Sequence, residues 1–272
     1  MVKSVKELRK ICYEDPDIYR PWYNKYMMKI SVYVSWLLLH TPITPNQVSI
    51  ISFFLVILSS LFLFSGNLGH IFIAMLILQF ANILDCVDGE IARYKKKTSL
   101  TGAHLEAIFD QLLAYFIYFP LAFGIFLQTG SKAILIVGFL CAAFAKSIII
   151  PTMYQAVIAH GLKNHSYQKQ KTSKEAKSSS VKLQGSSMGK KLNDVYDKFK
   201  DFWATPNVIL ILTIITVIEL VNRYSPFMAD YTLFYWYLVI FAVAAVFKQV
   251  LSFIVHYRGK ATEQYYKALF GK

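Results

Sequence analysis

Five carboxylates fall close together in a chain otherwise short of acid. Asp85, Asp88, Glu90, Glu106 and Asp110 lie within one 26-residue window, and they are the only acidic residues between positions 70 and 157. In a helix, Asp85 and Asp88 (three apart) share a face, as do Glu106 and Asp110 (four apart). If the two helices are antiparallel neighbours joined by the short stretch 93–101, the pairs face each other. Four such groups form a hard-oxygen cage suited to Mg²⁺ or Mn²⁺, one ion or two. Two divalent ions about 4 Å apart clamp a pyrophosphate and lower the charge barrier to attack on phosphorus.

Small and basic residues extend the pattern. Gly89 follows Asp88, and Gly102 stands one turn before Glu106, so both leave helix surface bare for a ligand to approach. Ala92 continues that narrow wall. Arg93, eight residues after Asp85, lies near the same face, where its planar fork could hold a phosphate.

The run reads Asp85, two residues, Asp88, Gly89, two residues, Ala92, Arg93, eight residues, Gly102, three residues, Glu106, three residues, Asp110. It resembles the signature of the CDP-alcohol phosphotransferase (CDP-alcohol phosphatidyltransferase) family, D-x₂-D-G-x₂-A-R-x₈-G-x₃-D-x₃-D. The resemblance implies an enzyme that cleaves the pyrophosphate of a CDP-alcohol, releases CMP and joins the phosphoryl-alcohol to a second alcohol. It further implies that Asp85, Asp88, Glu106 and Asp110 bind two divalent ions and that Asp110 deprotonates the acceptor. Asp88, Gly89, Ala92, Arg93 and Gly102 would contact the CDP portion, and a homodimer is expected. Glu106 departs from the pattern, which usually has Asp there; Glu keeps the charge and adds a methylene.

The elements that must carry these residues are apolar. Of 272 residues, 56% are hydrophobic and 17% charged, against about 25% charged in soluble domains. Mean hydropathy is +0.42, which excludes disorder, collagen-like repeats and a disulfide scaffold. Six spans are expected, at 47–65, 70–92, 103–127, 132–157, 206–223 and 231–257. Before them, 30–40 is too short to cross a bilayer; with Trp22, Tyr23 and Tyr26 it reads as an interfacial amphipathic helix. The fold expected is an all-α polytopic membrane protein. Residues 1–41 form a cytoplasmic N-terminal segment, 42–257 the catalytic domain and 258–272 a cytoplasmic tail.

The net charge of +13 has a topological explanation rather than a nucleic-acid one. Of 29 Lys and Arg residues, 25 fall in the N-terminal segment, the loop around 93–97, the loop 160–203 and the tail, all on one side of the spans. Both termini and the carboxylates are therefore expected on the cytoplasmic side. The membrane would be the plasma membrane in a prokaryote and the endoplasmic reticulum in a eukaryote. Loop 160–203 reads as a solvated basic loop ending in an amphipathic surface helix at 190–203. Cys12, Cys86 and Cys141 are too scattered for a disulfide framework or zinc site.

Weaker signals remain. Lys146 and Lys248, within spans four and six, either hold an anionic group of acceptor or donor or make structural contacts. Glu219 and Arg223 read as an i,i+4 ion pair. Asn46 either caps the first span, the favoured reading, or reaches the nucleotide. The leading donor is CDP-diacylglycerol and the acceptor a small polar alcohol, within phospholipid biosynthesis. The competing readings are transfer from a soluble CDP-alcohol to a lipid hydroxyl, and a non-enzymatic cation carrier or pseudoenzyme.

Overall fold

The computed structural model describes residues 4–13, 22–96, 100–146, 204–258, 260, 262–263 and 266. Among these residues every regular element is an α-helix. In chain order they are α1 (Val5–Tyr13), α2 (Trp22–Leu38), α3 (Pro45–Phe64), α4 (Leu68–Tyr94), α5 (Leu100–Thr129), α6 (Lys132–Phe144), α7 (Thr205–Tyr224) and α8 (Thr232–Arg258). Helices α3, α4, α7 and α8, and residues His104–Thr129 of α5, are long and apolar enough to cross a membrane. The protein is a polytopic all-α membrane protein, as expected.

The fourth expected span differs from the observed helix. α6 ends at Phe144 with Ala145 as its cap, so Lys146 stands just past the helix rather than within it. Positions 147–157 of that span, loop 160–203 and its terminal helix lie outside the described residues. The polar N-terminal segment contains α1, which buries Leu8 and Cys12. α2 starts earlier than the 30–40 segment because Trp22, Tyr23 and Tyr26 join it. Its outward face carries Trp22, Tyr26, Ile30, Tyr33 and Leu37, while Ser31 and Ser35 are buried. An apolar stripe outside and hydroxyls inside is the polarity of a helix lying against lipid.

Sequence chemistry sets the helix ends. Thr44 caps α3 in a capping box: its hydroxyl accepts from the Gln47 N–H at 3.3 Å, and Gln47 Oε1 accepts from the Thr44 N–H at 2.8 Å. The cap is thus Thr44, not Asn46, which occupies the first turn inside the helix. Pro45 at the first position loses no hydrogen bond, because that N–H has no helical acceptor. The α3–α4 turn runs through Gly66 (φ 68°) to Asn67, which caps α4 by accepting from the Gly69 N–H at 2.9 Å. A Cβ on Gly66 would sit 2.1 Å from the Gly124 carbonyl oxygen, so two glycines let α5 pass this turn in backbone contact.

The chain divides into two compact units. One comprises residues 1–145 and 201–242, the other 146–200 and 243–272. Within the first, α3 is sandwiched between α4 and α5, α6 packs on α5, and α2 and α7 pack on α4. Polar side chains tie the last group: Tyr23 Oη donates to Gln79 Oε1 at 2.8 Å, and Gln79 Nε2 donates to Thr213 Oγ1 at 3.0 Å. Within the second, Gln249 Nε2 donates to the Lys146 carbonyl.

The first unit also corrects one reading. Glu219 is fully buried, and its carboxylate accepts from the N–H groups of Tyr231 (2.9 Å) and Leu233 (2.7 Å). It satisfies orphan donors at the start of α8 and favours the helix dipole, rather than serving as the expected partner of Arg223, which is exposed. Burial raises the Tyr231 phenol above its ordinary value.

Candidate active site

The last turns of α4 carry Asp85, Asp88, Gly89, Ala92 and Arg93, and the first turns of α5 carry Gly102, Glu106 and Asp110. Both helices pack on α3, and α5 packs on α6 as well. Asp85, Glu106 and Asp110 are exposed, while Asp88 is half-buried. Asp88 accepts a hydrogen bond from the Ser49 hydroxyl of α3, and Asp85 and Glu106 both lie within electrostatic reach of it. One turn along α3, Phe53 stacks on Phe109, the neighbour of Asp110, with ring centroids 4.3 Å apart. Among the described residues no three His, Cys, Asp or Glu side chains converge closely enough to hold a metal ion. The donor set itself, four carboxylates of which three are exposed, has the chemistry that Mg²⁺ and Mn²⁺ take.

Arg93 folds back along its own helix. A Cβ on Gly89 would meet the Arg93 Nη1 and Nη2 atoms at 3.3 and 3.4 Å. The space that Gly89 leaves is therefore filled by the guanidinium one turn on. Arg93 Nε is buried and has no hydrogen-bond partner among the described residues. Gly102 is half-buried in the first turn of α5, and Asn46 is half-buried in the first turn of α3. Lys146 and Lys248 are half-buried and belong to the second unit.

The fifth carboxylate has a different surrounding. Glu90 is 0% exposed. Its Oε1 accepts from the Tyr13 hydroxyl of α1 and from Ser31 Oγ of α2, and its Oε2 accepts from Ser35 Oγ of α2. Cys12 Sγ lies 3.6 Å from the Glu90 carbonyl oxygen. One side chain thus bonds three helices together, and Leu8, Cys12 and Val32 form the small apolar cluster at that joint. Burial raises the Tyr13 phenol above its usual range, and the hydrogen bond to Glu90 pushes it the same way. The Cys12 thiol is raised by burial and then by the Glu90 charge, with Arg93 opposing.

Sequence reasoning passed over this joint, although signals were there. Glu90 is two residues from Asp88, about 200° around a helix, so it faces away from the aspartate pair. Ser31 and Ser35 are four apart in an otherwise apolar helix, which marks a polar stripe needing a partner.

A family model for CDP-alcohol phosphatidyltransferase matches residues 42–177, a stretch that includes α3, α4, α5 and all four proposed ligands. The chain is 37% identical over 83 residues to the bifunctional IPC transferase and DIPP synthase of Thermococcus kodakarensis, a match covering 30% of this chain and 18% of that protein. It is 35% identical over 92 residues to the protein of the same name from Archaeoglobus fulgidus, covering 34% of this chain and 18% of the relative. To the archaetidylinositol phosphate synthase of Pyrococcus horikoshii it is 37% identical over 82 residues, 30% of this chain and 42% of the relative. The chain therefore spans under a fifth of the bifunctional relatives and under half of the third. The family model covers half of the 272 residues and contains the whole spaced motif, so the chain belongs to the CDP-alcohol phosphatidyltransferase family.

Proposed function

We propose that this protein transfers a phosphoryl-alcohol group from a CDP-alcohol to a second alcohol, releasing CMP, as a step of phospholipid synthesis. The observation that carries this reading is two carboxylate pairs on α4 and α5, helices that both pack on α3, in a member of this family. The leading donor is CDP-diacylglycerol. The acceptor is a small polar alcohol; the relative named archaetidylinositol phosphate synthase supports an inositol phosphate as the first to be tried.

Asp85, Asp88, Glu106 and Asp110 would hold one or two Mg²⁺ or Mn²⁺ ions. When bound, such ions screen the pyrophosphate and stabilise charge developing on the phosphoryl oxygens. Asp110 takes the proton of the acceptor hydroxyl. That oxygen forms a bond to the β-phosphorus, the bond from this phosphorus to the bridging oxygen breaks, and CMP leaves with the electron pair. Arg93 supplies a fork for a phosphate of the CDP portion. Gly89 leaves room for the Arg93 guanidinium beside α4, and Gly89, Ala92 and Gly102 would contact the CDP portion. Asp88 would contact the CDP portion as well as metal, and Asn46 is assigned to the nucleotide. Lys146 and Lys248 are assigned, from sequence, to an anionic group of either the acceptor or the donor. The active site and both termini face the cytoplasm, by the positive-inside count, and the enzyme works as a homodimer.

The test is CMP release by the purified protein with Mg²⁺ or Mn²⁺, CDP-diacylglycerol and a panel of alcohols. Loss of the general base in Asp110→Asn should slow release about 100- to 10,000-fold. Undiminished release by this variant would refute the assignment of the base. Release only with CDP-choline or CDP-ethanolamine and a lipid hydroxyl would reverse the roles of donor and acceptor. No release from any pair would leave the carrier or scaffold reading.

A further inference from the structure

α3 contributes none of the four carboxylates, yet it touches Asp88 of one pair and Phe109 beside Asp110 of the other. Ser49 donates its hydroxyl to Asp88 Oδ2 on α4, and Phe53, four residues on and so on the same face, stacks on Phe109 beside Asp110 on α5. The stack is close to parallel, with an interplanar angle of 5°. A second edge contact, Phe53 to Phe116 at 5.6 Å, fixes the ring from the next turn but one of α5. Ser49 also lies 3.3 Å from the Pro45 carbonyl, a second place for its proton if Asp88 is removed.

We propose that Ser49 is a positioning residue for Asp88, and that the Ser49–Phe53 face of α3 sets the spacing between the two carboxylate pairs. This rests on the reading of Asp88 as a metal ligand. A carboxylate on a helix has two free χ angles. A hydrogen bond to one oxygen removes that freedom and fixes where the other oxygen lies, which is how outer groups orient metal ligands. The donor comes from a different helix, so the constraint also fixes α4 against α3. Phe53 does the same for α5 through a large apolar contact. In this role each residue acts through the group it holds.

The test uses Mn²⁺ alone as probe, binding to the purified full-length protein in detergent being followed by electron paramagnetic resonance of the free ion. Ser49→Ala should weaken Mn²⁺ binding about 10- to 100-fold. Ser49→Thr, which keeps the hydroxyl, should restore it to within about threefold. In the CMP-release assay, Ser49→Ala should raise the Mn²⁺ concentration needed for half-maximal rate by the same factor as the binding loss. The rate at saturating Mn²⁺ should fall far less. A merely structural role would not move metal affinity with a hydroxyl-specific rescue. If Ser49→Ala does not purify as folded protein, Ser49→Cys keeps the volume, weakens the donor and should show an intermediate loss.

Asp88→Asn separates the two levels. Weakened Mn²⁺ binding in Asp88→Asn with unchanged binding in Ser49→Ala, or equal losses in Ser49→Ala and Ser49→Thr, would overturn the positioning role and leave the ligand reading intact. Unchanged Mn²⁺ binding in Asp88→Asn would overturn the ligand reading and the positioning role with it.

Discussion

Tyr13→Phe tests whether the buried Glu90 joint holds α1 to the bundle. α1 has nine residues, below the ~12–15 at which an isolated helix becomes stable in water. Its order must come from Leu8 (0% exposed), Cys12 (2%) and the Tyr13 hydrogen bond to Glu90. Ser31 and Ser35 still bond both Glu90 oxygens when Tyr13 is replaced, so the carboxylate is not stranded. The loss is then one hydrogen bond to a charged group, about 1.5–3 kcal/mol. At ~2 kcal/mol the undocked population of α1 rises about 30-fold. Cys12 reports this directly, because its thiol is covered by the joint and its raised pKa keeps it protonated and unreactive while docked. Alkylation of the Cys12 peptide, followed by mass spectrometry, should accelerate about 10- to 30-fold in Tyr13→Phe, at unchanged thermal stability of the spanning helices. A rate within twofold of wild type would refute the latch. The pH dependence has a definite sign. The folded-state phenol pKa lies above its ordinary value of 10, so the contribution of Tyr13 is complete below that value and is lost as pH rises through the higher one. Docking should be flat across neutral pH and weaken only in alkali, and Tyr13→Phe should abolish that dependence.

Two further outcomes follow from the fold. Glu219→Ala removes an acceptor from two N–H groups at the head of α8 and should lower stability by about 3 kcal/mol or more. Arg223→Ala should change it by no more than about 0.5 kcal/mol; equal losses in thermal melts would restore the ion-pair reading. Gly124→Ala places a Cβ 2.2 Å from the Leu63 carbonyl oxygen, and the helices must part. Destabilisation of about 1–3 kcal/mol is expected in thermal melts of the detergent-purified variant, and a neutral result would contradict the close approach of α3 and α5.

The sequence by itself determined what depends on type and spacing along one helix. Long apolar blocks have to be helices in lipid because no other single segment satisfies its own backbone there, and five of them are among the described residues. The spacing Asp85–Asp88 and Glu106–Asp110 fixed each pair on one helix face, and the motif carried the family. What it could not determine was which helix stands beside which, because apolar faces of similar composition are interchangeable partners. The tertiary structure decided that α3 packs against both acidic helices and that α6 packs against α5. It decided too that Glu90 faces the Tyr13, Ser31 and Ser35 hydroxyls rather than the other acids. Glu219 shows the same limit: its neighbour in sequence, Arg223, suggested a partner, but the buried carboxylate meets backbone N–H groups twelve and fourteen residues away. A buried charge is satisfied by whatever donor the packing brings to it, and packing is a property of the whole chain.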